Sequence, residues 1–415
     1  MGLIWTLVKL IIILGVVATI HEFGHFIFAK LFKMKVDEFA IGFGKKIFSK
    51  KYRGTVFSLR WIPLGGFCAI EGEDGKSEEN DSFCKKPWWQ RIIVLIAGAT
   101  FNAILAIVVL ISINLTGVTY TNKIDKISDT SLAYKMGLRQ GDKILEINGK
   151  KMRILQDIYS YMDTSKQKTI ITYERDSKEY RISTTEAVYE IGYIGVYFKT
   201  NDDGIATNEI NIVEGSGAAE KSGIRANDKI TSINGKETTN AKDVIKIVSE
   251  SPNKKLNVEI ERDGKTIAKT LKPSLKKTFD IGTIITEKVD TNIYYAYCRT
   301  LNSVDQIIGS YVNLFKGNVS VNQLSGIVGI GEVVSKTEGF LDFLNLLAVI
   351  SLAIGIANVM PFPPLDGGKI VLVLCEAITR KKVSPRVEEV LSLVGFGILI
   401  ALTLYVTYND ITRLI

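Results

Sequence analysis

Four stretches of the chain are apolar over about the length that crosses a hydrocarbon core, ~20 residues for ~30 Å. They are "LIWTLVKLIIILGVVATIHEFGHFIFA" (3–29), "IIVLIAGATFNAILAIVVLISINLTG" (92–117), "LDFLNLLAVISLAIGIANVM" (341–360) and "EVLSLVGFGILIALTLYVTY" (389–408). The third is the least uniform, with Asp342 and Asn345 at its start and Asn358 near its end. Between the second and third the pattern changes to short strands and short helices punctuated by Gly and Asn, the mark of small α/β modules. There the chain repeats itself. "GLRQGDKILEINGK" (137–150) returns as "GIRANDKITSINGK" (223–236), 86 residues later, and "YERDSKEYRIS" (173–183) is echoed by "IERDGKTIAKT" (260–270). Each unit reads as a short helix ending at Gly137 or Gly223, a strand, a polar turn at "NGK", a second helix and a further strand. Two further patterns flank the repeats. "YRGTVFSLRWIPLGGFC" (52–68) alternates in places like a strand pair, and "IYYAYCRTLNSVDQIIGSYVNLF" (293–315) has apolar residues at helical spacing. The latter predicts an amphipathic helix lying on a membrane surface or packed against the repeats.

Composition supports the membrane reading. The 415 residues are 46% apolar, too many for an ordinary soluble enzyme. The first stretch fits a span better than a cleaved leader, since only Lys9 precedes its apolar run and no small-x-small cleavage site follows. The net charge of +8 would point to nucleic acid if it sat on the modules, but residues 118–340 carry 32 Lys+Arg against 29 Asp+Glu. The excess lies in loop 30–90, with 12 Lys/Arg, and in 365–387, with five. By the positive-inside rule both loops are cytoplasmic, so the termini and the repeats lie outside. No nucleic-acid partner is expected. The four cysteines (Cys68, Cys84, Cys298, Cys375) form no CxxC pair, and only Cys298 falls outside, which leaves packing as their role.

The candidate chemistry sits inside the first apolar stretch. "HEFGH" (21–25) holds the only two histidines of the chain. Four residues apart on a helix, they share a face and can share one zinc ion, with Glu22 placed to take a proton from a water bound there. The bland alternative is a pair of hydrogen-bonded core histidines, but ionisable groups in lipid are costly and functional by default. A catalytic zinc takes three protein ligands, and no histidine remains. The best candidate for the third is Asp366 in "NVMPFPPLDGG" (358–368), where three prolines in four residues must break the third span. Irregular backbone at membrane depth is tolerated where it lines a protein-walled cavity. The alternative makes Asp366 a turn residue just beyond the bilayer. Topology offers a check: at ~1.5 Å per residue, spans one and three run in the same direction and bring both motifs to the same side.

HEFGH in the first span, LDG after a proline-broken third span and a repeat-bearing insert between spans two and three resemble the site-2 protease family of intramembrane zinc metalloproteases. Within it they resemble the bacterial RseP-like branch with two PDZ domains. The likeness covers nearly the whole chain, including "IGFGKKIF" (41–48), "IPLGGFCAIEGED" (62–74), "KPWWQRIIVLIAGATFN" (86–102) and "LSGIVGIGE" (324–332); one departure is Ile327, where relatives often have proline. The resemblance implies His21, His25 and Asp366 as zinc ligands and Glu22 as general base. It also implies a substrate-positioning role for Asn358, which as an intramembrane amide beside a helix break could equally cap its own helix. Asn102 is a weaker candidate for the same role, since helix packing explains it as well. The repeats match the permuted bacterial PDZ pattern, which implies binding of a peptide or substrate ectodomain by strand addition. The second copy has Asn227 where the first has Gly141, so the two need not share a ligand.

The expected protein is a polytopic α-helical membrane protein with four transmembrane helices, two inserted α/β PDZ-like domains and a membrane-associated β-hairpin. Its expected parts are 1–117 (spans one and two), 118–203 and 204–275 (PDZ-like domains), 276–340 (linker with amphipathic helix) and 341–415 (spans three and four). The expected function is zinc-dependent cleavage within the transmembrane segment of a single-pass membrane protein, such as a pre-cleaved anti-sigma factor, in the inner membrane of a bacterium. The PDZ-like domains would be extracytoplasmic and the zinc site toward the cytoplasm. A non-catalytic scaffold is the alternative, opposed by an intact Glu22. A membrane-anchored serine protease is excluded for want of a histidine outside HEFGH.

Overall fold

The structure, a computed structural model, describes residues 2–414 except 74, 76, 161–167, 202–204, 216, 283, 317–325, 336 and 338. It consists of two compact units, Met1–Gly117 with Thr291–Ile415, and Val118–Asp290.

In the first unit, four helices are long and apolar enough to cross a membrane: Ile4–Leu31, Trp88–Asn114, Phe340–Val359 and Pro385–Thr412, spans one to four. Their outward faces remain apolar, with Ile4, Trp5, Ile104, Val108, Leu393 and Leu404 exposed. Such a face is stable against lipid and costly against water. Their inward faces are small or aliphatic. Ala106, Leu110, Ala348 and Leu352 join spans two and three, and Ile13, Val17 and Leu347 join spans one and three. Apolar side chains gain little from one another when lipid is the alternative, so close backbone approach and polar contacts carry the packing. A Cβ on Gly24 of span one would stand 2.5 Å from the Ala97 carbonyl of span two. Ser351 Oγ donates to the Asn102 carbonyl at 2.9 Å, fastening span three to span two.

Span three ends at Val359, and a new helix, Asp366–Thr379, starts where the sequence places the break. Pro361, Pro363 and Pro364 have no N–H to continue the ladder. The hairpin is longer than its alternation suggested. Strands Val36–Tyr52 and Thr55–Ile70 pair antiparallel about Arg53 and Gly54, both at positive φ, as a two-residue turn requires. The second strand runs along span one, and a Cβ on Gly15 would meet the Pro63 carbonyl at 2.8 Å. Helix Ile293–Phe315 forms as expected but has another partner. Val304 and Ile307 pack into the cluster of spans two and three, Asn114 Nδ2 donates to Thr300 Oγ1 at 3.1 Å, and Tyr311 donates to the Ala353 carbonyl at 2.9 Å. The side carrying Ala296, Val304 and Ile307 is covered by helices of its own unit, while Ile308 and Val312 stay exposed.

The second unit holds two sheets of the same design. One runs Ile284–Asp290, Val118–Ile127, Lys143–Ile147, Thr169–Arg175, Lys178–Thr184; the other runs Val196–Thr200, Ala206–Val213, Lys229–Ile233, Leu256–Arg262, Lys265–Leu271. Their cores repeat at the sequence spacing: Ile124, Ala133, Leu138, Ile144 and Ile147 in the first match Ile210, Ala219, Ile224, Ile230 and Ile233 in the second. The division differs from the one read along the chain. Strand Val196–Thr200 belongs to the second sheet, although it precedes residue 203. Strand Ile284–Asp290, expected in a linker, closes the edge of the first sheet, and Phe279 and Ile281 lie in its core. The second module is therefore inserted into the first, with Val188–Tyr193 and Ser274–Phe279 paired as the neck. The boundary at 203/204 itself lies outside the described residues. None of the four cysteines is in a disulfide.

Candidate metal centre

His21 and His25 stand one turn apart on span one, 8% and 7% exposed. Where span three breaks and helix Asp366–Thr379 begins, the Asp366 carboxylate arrives against both. His21 Nε2 lies 3.0 Å from Asp366 Oδ2, His25 Nε2 3.3 Å from the same oxygen, and the two Nε2 atoms 3.2 Å from each other. Among the described residues this is the group of histidine, cysteine and acidic donors close enough to hold a metal. Zinc–nitrogen and zinc–oxygen bonds of ~2.0–2.2 Å in a tetrahedron place ligands roughly 3.3 Å apart. The three separations match that triangle, and two imidazoles with one carboxylate are a donor set suited to zinc.

The surroundings aim these donors. His25 Nδ1 donates to the Val94 carbonyl at 2.8 Å, which leaves the Nε2 lone pair facing the site. Span two can approach because residue 98 is glycine. A Cβ there would meet His25 Nε2 at 2.5 Å and His21 Nε2 at 2.8 Å. Glu22 accepts the Cys68 backbone N–H at 3.0 Å, so the hairpin orients its carboxylate. Asn358 approaches the Asp366-facing side of the His21 ring, its Nδ2 3.4 Å from His21 Nε2. Asn102, fully buried, approaches the opposite nitrogen, with Nδ2 3.4 Å from His21 Nδ1. One turn beyond Asp366, Lys369 Nζ pairs with Glu73 Oε1 at 2.6 Å and pins the helix that carries the third donor to the loop after the hairpin.

Every residue named from the sequence thus falls at this centre. Val94, Gly98 and the Lys369–Glu73 pair were not named. For Gly98 a signal existed, because "GATFN" places it and Asn102 four apart on one helix face. For Val94 there was none, since a carbonyl has no residue type.

Two buried histidines on a helix apolar enough to cross a bilayer, met at zinc spacing by the half-buried carboxylate of Asp366, fit a membrane metallohydrolase. The chain matches the model of peptidase family M50 over residues 9–402 and belongs to that family. It is 30% identical over 453 residues to the regulator of sigma E protease of Haemophilus influenzae, which covers 100% of both chains. It is 29% identical over 433 residues to the zinc metalloprotease RasP of Oceanobacillus iheyensis, covering 99% of each. This is a multi-pass bacterial membrane protein and a zinc metalloprotease of the site-2 protease type.

Proposed function

We propose that the chain cuts a peptide bond within the transmembrane segment of a single-pass membrane protein, such as a pre-cleaved anti-sigma factor. His21, His25 and Asp366 hold the zinc and Glu22 moves the proton. The observation that carries this reading is the convergence of three donor atoms 3.0–3.3 Å apart, two of them and the neighbouring glutamate on a helix fit to cross a membrane and the third from the helix that follows the break in span three. Zinc held there would supply Lewis acidity, polarising a peptide carbonyl and making the attacking water more acidic.

The remaining work belongs to side chains. Glu22, oriented by the Cys68 N–H, accepts the proton of the attacking water and returns it to the leaving amine. Asn358 hydrogen-bonds the peptide or its developing oxyanion. A peptide bond inside a helix is shielded by the helix's own hydrogen bonds, so the substrate must unwind first. The hairpin Val36–Ile70, lying in or on the membrane beside span one, offers strand partners to an unwound segment.

The two modules read as PDZ-like, taking a peptide or a substrate ectodomain. They differ where such a peptide would end. Ala133 N–H donates to Ile281 O in the first and Ala219 N–H to Ile194 O in the second, which aligns Asp280 with Tyr193. Asp280 already accepts the Gly282 N–H at 2.6 Å, so the two modules need not share a ligand. By the positive-inside rule the basic loops support a metal centre toward the cytoplasm of an inner membrane, with the modules outside.

The test is cleavage of a labelled single-pass substrate by the purified chain in detergent, beside Glu22→Gln, with zinc assayed in both. Both forms should hold about one zinc per chain, as one three-ligand site requires, and only the native chain should cut within the transmembrane segment. Equal behaviour of the two, or no zinc in either, would leave a peptide-binding scaffold and overturn the reading.

A further inference from the structure

Asn102 is fully buried in span two, and its Oδ1 has no hydrogen-bond partner while its Nδ2 faces His21 Nδ1 at 3.4 Å. An orphaned buried oxygen beside a metal-facing imidazole calls for an explanation. The second histidine supplies the contrast. Val94 O can only accept, so His25 carries its proton on Nδ1 and turns a bare Nε2 to the site. His21 needs the same tautomer to bind through Nε2, and Asn102 is the group at its Nδ1. With the amide NH2 toward Nδ1, the ring proton moves to Nε2 and donates to Asp366. That arrangement suits a chain without metal. Turning the amide by half a revolution keeps its shape and puts Oδ1 against Nδ1–H. The orphan is then satisfied and Nε2 is freed for the ion.

We infer that Asn102 is a positioning residue for His21: its side-chain oxygen accepts the Nδ1 proton when zinc is bound and so selects the ligating tautomer. An amide is suited to this, because it can face the ring with a donor before loading and an acceptor after it. The side chain is held in place from behind. Its backbone carbonyl accepts from Ser351 Oγ, and a Cβ on Gly355 would lie 3.3 Å from its own Cβ, so span three packs directly on this residue. The inference rests on His21, His25 and Asp366 holding the zinc, and it replaces a substrate contact with a contact made through His21.

The experiment compares zinc affinity of the full-length chain in detergent, by competition with a chelator, for the native form, Asn102→Leu, Asn102→Asp and Asn102→Ser. Leu fills the space without an acceptor, Asp offers only acceptors, and Ser is too short to reach the ring. Leu and Ser should each weaken zinc binding by about 10–100-fold, the effect of losing an outer hydrogen bond to a ligating histidine, while Asp stays within a few-fold of native. A packing role predicts the reverse order, with Leu tolerated and Asp, a buried charge, the worst. A substrate-contact role predicts native zinc affinity in all three with only KM altered. Either result overturns the inference. If Leu fails to fold, the Ser and Asp variants decide it. Failure of the native chain to bind zinc would overturn the metal-centre reading instead, which keeps the two distinguishable.

Discussion

Both units bury ionisable groups, and they treat them in opposite ways. In the first module Asp142, fully buried, receives Arg175 Nε at 2.6 Å, Arg175 Nη2 at 2.7 Å and the Arg139 N–H at 2.8 Å. The second module repeats the lock with Asp228, Arg262 and the Arg225 N–H at 2.7, 2.8 and 2.7 Å. The guanidinium of each also donates to the carbonyl that ends the preceding helix, Gly137 or Gly223, at 2.8 Å. Every lone pair aimed inward meets a proton. At the metal centre His21 Nε2, His25 Nε2 and Asp366 Oδ2 converge to 3.0–3.3 Å of one another; without an ion a proton on His21 Nε2 bridges to Asp366, and with one all three turn lone pairs to it. A closed network fastens a fold, and a convergent one is suited to an ion.

Removing the cation breaks this contrast most completely. Stripping zinc with a chelator should take proteolysis to background, with recovery on adding zinc back, while hydrogen exchange of the module amides stays unchanged. Glu22→Gln comes next, lowering kcat by about 10²–10⁴-fold with zinc content retained, as expected for loss of a general base. In the modules the currency is stability. Arg262→Met leaves Asp228 buried and unpaired, which should cost about 3–5 kcal/mol in the second module, read from hydrogen exchange in the full chain. Adding Asp228→Leu should restore part of that loss, because an apolar pair replaces the stranded charge. Smallest is Asn208→Ala. Its Nδ2 donates to the Ile230 and Thr238 carbonyls, both at 2.8 Å, and their loss should cost about 1–3 kcal/mol. Asn122→Ala, with the equivalent bonds to Ile144 and Met152, should match it in the first module if the two are energetically as alike as they are structurally.

Much of this was legible along the chain. Spans are long apolar runs, and the lipid solvent leaves few alternatives to a helix. HEFGH declares its chemistry locally because residues four apart on a helix share a face, so His21 and His25 needed no fold to be paired. The proline cluster announced the break that frees Asp366. The nesting of the modules was not legible. The repeat of 86 residues marks the helix, strand and turn that both share, but a sheet edge has no motif of its own. Ile284–Asp290 closes the first sheet across the whole intervening second module, a pairing set by register and by Phe279 and Ile281 entering its core. Helix Ile293–Phe315 shows the same limit, since an apolar stripe demands a cover without naming it.

By itself, then, the sequence determined which segments are long and apolar enough to cross a membrane, that two histidines and a glutamate share one helical turn, and that the inserted part is duplicated. These follow from periodicity and composition within one segment. Only the tertiary structure decided that Asp366 reaches to 3.0 Å from His21, that Gly98 and Val94 frame the pair, that Cys68 turns Glu22, and that the second module sits inside the first. Those contacts join residues dozens to hundreds of positions apart, and their geometry comes from close packing of whole helices and strands, which no local pattern encodes.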